Sequence, residues 1–166
     1  MIIIEVSPHD DPLGGELLAL QKAAYAVEAE LIGDDRIPPL HESLAELRAQ
    51  ELRWLAAVDG ERAAGGRGRP VGAVAWEESI DEIDINRLVV HPSAARRGFG
   101  RALVEAVLAR AGGRRVVVST GRDNVPARRL YEGLGFTLLG ETEVIPSLWI
   151  AAYARRHSAP TPADAR

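Results

Sequence analysis

The chain has 166 residues, 46% of them hydrophobic and 27% charged, a globular composition long enough for one domain with a sizeable core and too short for two. Cysteine is absent and lysine occurs once, at Lys22, which excludes disulfides, thiolate nucleophiles and the Gly-Lys-Ser/Thr ending of a Walker phosphate loop. The net charge of −4 hides an asymmetry: residues 1–60 carry 4 basic and 12 acidic side chains, whereas residues 87–129 carry ten arginines against Glu105 and Asp123, a sign suited to an anionic partner.

The four imidazoles, His9, His41, His91 and His157, are far apart in sequence and build no close-spaced metal motif, so no metal is expected. No run of about eighteen apolar residues is present, and the start MIIIEVSPHDDP lacks the basic opening and apolar stretch of a signal peptide. A cytoplasmic protein without membrane contact is expected.

In chain order, the β-branched run at 2–6 reads as a strand. Apolar residues at Leu17, Leu20, Ala24, Val27 and Leu31 recur at helical spacing and predict a helix over 17–31 that ends near Gly33. A loop with Pro38 and Pro39 follows, and Ser43 with Glu46 forms a capping-box pattern for a helix to about residue 51. Residues 53–58, 71–77 and 83–90 read as three consecutive strands of an antiparallel meander, the first two joined by a long glycine-rich connection.

Beyond residue 90 the pattern changes to a helix over 98–111, a strand over 115–119, a helix over 126–133 opened by Pro126, and strands over 136–144 and 148–154, the last closing the sheet as a hairpin partner. This order predicts a single α/β (α+β) domain over 1–156. Its sheet is mixed and mostly antiparallel, with about four flanking helices and a right-handed crossover that makes strands 83–90 and 115–119 parallel. The last ten residues, 157–166, read as a disordered tail.

Two stretches carry chemistry. Val90-His-Pro-Ser-Ala-Ala-Arg-Arg-Gly-Phe-Gly-Arg-Ala-Leu103 runs from a strand through a turn into a helix. Gly98 and Gly100 there let the backbone approach a ligand, and the unpaired amides of the helix start attract anions. Leu103 stands where a dinucleotide fingerprint needs a third small residue, so this loop is not a Rossmann loop. In the second stretch, Asn124 can cap a helix, Tyr131 sits near its end, and Gly135 permits a left-handed exit before Phe136.

Together these stretches resemble the GNAT superfamily of acetyl-CoA-dependent N-acetyltransferases, in which a Q/R-x-x-G-x-G/A loop precedes N-x-x-A-x-x-x-Y-x-x-x-G-F. Asn124, Ala127, Tyr131, Gly135 and Phe136 match the second pattern, and Gly98 and Gly100 the first; Ala95 occupies the Gln/Arg position and departs from it. The resemblance implies a GNAT-like fold with a splayed parallel strand pair and acetyl-CoA as cosubstrate. By it, Leu88, Val89 and Val90 hold the pantetheine arm, with an amide near Val90 as oxyanion donor. Arg96, Arg97, Gly98, Phe99, Gly100 and Arg101 hold the pyrophosphate, and Asn124 belongs to the same site.

It further implies direct attack by a primary amine on the thioester, with Tyr131 as general acid and Asp84 as base, Glu77 and Glu78 being substitutes. Strand alternation places Asp84, Asn86 and Leu88 on one side and Arg87 on the other until a bulge intervenes. In the family the first two helices and their loop, with the final hairpin, wall the acceptor site. Glu28, Glu30, Asp34, Asp35 and Glu42 in that region fit a cationic amine and fit a solvated acidic surface as well. Trp54, Trp76 and Trp149 fit either the cleft or the core, and His91 before Pro92 reads as structural. The alternative function is a non-catalytic acyl-CoA-binding module of the same fold. Nucleic-acid binding lacks aromatic interleaving and is not expected. The identity of the amine and the oligomeric state, monomer or homodimer, stay open.

Overall fold

The computed structural model describes residues 1–60 and 68–156. The expected tail at 157–166 and most of the long connection lie outside them. Strand β1 (Ile2–Val6) is followed by helix α1 (Leu13–Ile32), a 3-10 turn (Pro38–His41) and helix α2 (Leu44–Ala49). Strands β2 (Arg53–Val58), β3 (Pro70–Glu78) and β4 (Glu82–Val90) form the meander. Then come a 3-10 turn (Pro92–Ala94), α3 (Phe99–Ala109), β5 (Arg115–Gly121), α4 (Val125–Gly133), β6 (Thr137–Ile145) and β7 (Leu148–Arg156). The sheet order is β1-β2-β3-β4-β5-β7-β6, and among the described residues β4 with β5 is the one parallel neighbour pair. A mixed, mostly antiparallel sheet with four α-helices is thus the fold that the pattern predicts.

One placement differs: the last strand does not end the sheet. β7 pairs with β5 on one side and β6 on the other, which leaves β6 at the edge with every residue exposed. The hairpin turn therefore reverses the chain across the sheet. It is tight, with Ser147 in the left-handed region at φ 69°.

Two apolar layers sandwich the sheet, set by strand alternation. In β2, Trp54 and Ala56 face α1 and α2 with Leu17, Leu20 and Leu47, while Leu55 and Ala57 face α3 and α4 with Leu103, Val107 and Leu134. A strand buried on both faces has to be apolar throughout, and 54–58 is Trp-Leu-Ala-Ala-Val. α2 is only six residues long and is held by the Ser43 cap, which accepts from the Glu46 amide at 3.1 Å, and by fully buried Leu47. Such a cap contributes about 1 kcal/mol.

α1 begins four residues before its predicted start and takes in Gly14, where the helix passes close to the chain after β1. A Cβ there would lie 2.2 Å from the Pro8 carbonyl oxygen. The apolar stripe on this helix also divides. Leu17 and Leu20 are core, whereas Val27 and Leu31 are exposed toward a cavity.

Candidate active site

The splay between the parallel strands starts at one residue. β4 and β5 pair only from Glu82 with Arg115 to Ile85 with Val118. On the opposite edge of β4, Ile85 pairs with Trp76 and Arg87 with Ala75, so Asn86 is an extra residue, a bulge. Bulges bend the strand that carries them, and here β4 turns away from β5, which stays paired with β7 as far as Gly121. His91 donates its amide back to Val71 of β3 at 2.8 Å. Alternation of the backbone then turns the amides of Val90 and Leu88 to the opened edge.

The bulge corrects the expected facing of β4. Ile83, Ile85, Leu88 and Val90 lie on the α3/α4 side, whereas Arg87 and Val89 lie on the α1 side. Asp84 shares the side of Arg87, and Leu88 is opposite it. The reason is the odd residue, which shifts the period-two pattern by one.

Two cavities flank the gap. One, of about 560 Å³, runs along the start of α3 and is lined by Ala94 to Arg96, Gly98 to Arg101, Leu88, Val90 and the exposed stripe of α1. The other, of about 280 Å³, lies between β4, β5 and the loop after α1 and contains Tyr131. Tyr25, Glu28, Leu88, Asn124 and Ala127 line both, so the two spaces meet at the splay.

The first cavity is an anion cradle made of backbone. Gly98 takes φ 85° as N-cap of α3, and no side chain caps that helix, so its first amides stay open to a ligand. Arg96 is wound into the left-handed region at φ 62° and makes no ion pair among the described residues. Arg101 also lines the cavity but pairs with Glu105 at 3.0 Å. The run of arginines does not form one field. Arg97 leaves for Asp59 at 2.7 Å and stacks on buried Phe99, Arg114 goes to Glu78, Arg128 to Glu141, and Arg87 into the core. Helix and strand directions scatter side chains that are neighbours in sequence.

The second motif is a device for holding Tyr131. Asn124 accepts from the Ala127 amide at 3.3 Å and fixes the start of α4. Gly135 takes φ 86° and turns Phe136 back, edge-on against the Tyr131 ring at a centroid distance of 5.6 Å; Tyr153 packs at 6.0 Å. Tyr131 is 3% exposed and its hydroxyl has no hydrogen-bond partner among the described residues, yet unlike Trp54 Nε1, which is sealed from solvent without a partner, it is not fully enclosed. It opens into the second cavity. Burial, then Tyr25 and Glu28, push its phenol above the usual range, so it is protonated at neutral pH.

The expected carboxylates are separated. Asp84 lines neither cavity. It is exposed and sits beside Glu77, and partial desolvation followed by Glu77 and Glu82 raises its proton affinity. Glu78 is held down to about 2 by Arg114, Trp76 and Arg53, which bars it from accepting protons near neutrality. Glu42 leaves the acidic wall altogether: it is 6% exposed and forms a buried ion pair with Arg87, completed by Gln21. Glu28 alone among the five faces the cavities. Trp54 and Trp76 are core, Trp149 stacks on Arg122 at 4.8 Å, and His91 accepts from the Ser93 amide in its own turn.

The Arg87–Glu42–Gln21 network was not legible in the sequence, since its members are 21 to 66 residues apart. A polar Gln21 on the buried side of an amphipathic helix is the signal that marks such a network beforehand.

The family model for the acetyltransferase (GNAT) family matches residues 17–136. This chain belongs to the GNAT acetyltransferase family. Among curated relatives it is 36% identical over 138 residues to the UPF0157 protein YqkA of Bacillus subtilis (strain 168), covering 81% of this chain and 38% of that protein. It is 36% identical over 136 residues to the mycothiol acetyltransferase of Clavibacter michiganensis subsp. michiganensis, covering 80% and 39%. The chain spans about two fifths of the length of these relatives. In fold it matches the ribosomal-protein-S18-alanine N-acetyltransferase of Escherichia coli with a TM-score of 0.71 at 17% identity, over 97% of each chain. Among the described residues of this GNAT domain no helix is long and apolar enough to cross a membrane.

Proposed function

We propose that this GNAT domain moves an acetyl group from acetyl-CoA to an amine nitrogen by direct attack, with Tyr131 as general acid. The observation that carries the reading is the meeting of the two cavities: an anion cradle on one side of the splay opens onto an unpartnered phenol on the other. The similarity to a mycothiol acetyltransferase supports acyl transfer. The cradle fits a pyrophosphate by its chemistry, since it offers open helix-start amides, a left-handed glycine and the Arg96 and Arg101 guanidinia.

Leu88 and Val90 present amides along the gap, suited to hydrogen-bond an extended amide-bearing arm and the oxygen that gains charge during attack. Asn124 holds α4, and with it Tyr131, at the junction. Acetyl-CoA supplies the activated thioester. The acceptor arrives as an ammonium; after loss of one proton its nitrogen forms the new N–C bond as the C–S bond breaks, Tyr131 gives its proton to the sulfur, and the second proton lost from the nitrogen restores the phenol. Amide, free thiol and one released proton balance the reaction. Burial raises the proton affinity of a thiol as well as that of the phenol, so a raised phenol still matches its acceptor. A base role for Asp84 requires relayed water, because the residue lines neither cavity.

Release of free thiol from acetyl-CoA in the presence of a panel of amines tests the reading. Tyr131→Phe is expected to lower kcat about a hundredfold or more while the Kd for acetyl-CoA stays unchanged. An unchanged kcat would remove Tyr131 as the acid. Coenzyme binding without thiol release for any amine would leave the binding-module reading.

A further inference from the structure

The acceptor cavity carries three charged side chains, Glu28, Arg36 and Arg87, and two of them are already neutralised. Arg87 is paired with Glu42 in the core. Arg36 donates to Asp34 and to the Pro146 carbonyl, the latter at 2.9 Å, which ties the loop after α1 to the β6–β7 turn. Glu28 is the carboxylate that remains. One of its oxygens, Oε1, accepts weakly from the Thr120 hydroxyl at 3.3 Å and the Gly121 amide at 3.4 Å, which leaves Oε2 unbonded among the described residues. Among the described residues no other acid lines either cavity. Much of the remaining wall is apolar, with Ile32, Ile37, Val118, Val144, Leu148 and Ile150.

Resting on the acetyltransferase reading, we infer that Glu28 holds the acceptor's ammonium group, and that the acceptor is a small primary amine with a single positive charge and an apolar body. One uncompensated carboxylate binds one cation; a second ammonium would be desolvated against aliphatic side chains without a partner. The geometry also suits the chemistry, because Glu28 lies at the junction of the cavities beside Tyr25 and Tyr131. The carboxylate takes one proton from the ammonium so that the nitrogen lone pair becomes free, and Tyr131 serves the sulfur on the far side. The acidity counted along residues 28–42 therefore does not make a polycation site: Glu42 and Asp34 are taken, and Glu30 and Asp35 line neither cavity.

The test compares 2-phenylethylamine, hexylamine and spermidine as acceptors for the wild-type chain and for Glu28→Gln, followed by thiol release near neutral pH. The glutamine keeps an oxygen for Thr120 and Gly121, so the wall stays in place. Wild type is expected to prefer the two monoamines by tenfold or more in kcat/KM over spermidine. Glu28→Gln is expected to raise KM for 2-phenylethylamine roughly tenfold or more, as loss of a charge-assisted bond does. Its Kd for acetyl-CoA and its melting temperature stay unchanged, and KM for 4-ethylaniline, neutral at that pH, moves less than twofold. A purely structural role would shift both amines alike and would overturn the assignment, as would spermidine turned over as well as the monoamines. Failure of wild type to release thiol with every amine, while it still binds acetyl-CoA, would instead overturn the acetyltransferase reading on which the inference rests.

Discussion

The coenzyme side and the acceptor side of the splay are built by different means. Along α3 the site is local backbone: a left-handed Gly98, open helix-start amides and the strand edge at Leu88 and Val90, all within 14 consecutive residues. Across the gap the site is made of side chains from distant segments, with Arg87 reaching Gln21 and Glu42, Glu28 reaching Thr120 and Gly121, and Arg36 reaching Pro146. A backbone cradle depends on little more than glycines at two positions. A side-chain wall depends on several long-range pairs at once, so it is where specificity can change while coenzyme binding stays.

The largest expected break in that comparison is Arg87→Met, which strands the buried Glu42 carboxylate. Loss of one partner of a buried pair costs about 3–5 kcal/mol, read by urea unfolding, and adding Glu42→Leu should recover most of it. Recovery absent from the double variant would mean that the pair is not the cause. Gly121→Ala comes next. Its Cβ would meet Ile32 Cγ2 at 2.8 Å, and overpacking of this kind costs about 1–3 kcal/mol as α1 is pushed off β5. The amine KM should rise while the Kd for acetyl-CoA stays within about threefold; equal damage to both would show that the two sides do not separate.

Glu78→Gln sharpens the pH behaviour of the scaffold outside both sides. The Glu78 carboxyl titrates at about 2 when folded and 4.5 ordinarily, so its bonds to Arg114, Trp76 and Arg53 stabilise fully above pH 4.5 and are lost as pH falls through about 2. Unfolding measured at a series of pH values should show wild type about 1–2 kcal/mol more stable than the variant at neutral pH, after allowance for solvent screening. The two curves should merge near pH 2; a constant gap would point to lost packing. The smallest effect is expected for Asp84→Asn. With the residue outside both cavities, kcat/KM should change less than about twofold, and a larger fall with an altered pH-rate profile would restore it as the base.

The same contrast decides what was legible in the sequence. Periodicity located every strand to within two residues, and the motif residues Asn124, Tyr131, Gly135 and Phe136 lie inside a 13-residue stretch, so the family resemblance that their spacing carries picks them out. The facing of β4 was not legible, because a single extra residue at Asn86 inverts the pattern and nothing in Ile-Asn-Arg marks it. The fate of the charges was hidden too. Glu28 and Glu42 look alike in sequence, and only the fold sends one to the cavity junction and the other to Arg87.

The most direct measurement is a crystal structure of the chain with CoA. The pyrophosphate is expected against the amides of residues 99–101, and the sulfur within about 3.5 Å of the Tyr131 hydroxyl, close enough for proton transfer. A sulfur that lies beyond about 6 Å from that hydroxyl, with the ordered arm leading away from the splay, would contradict it.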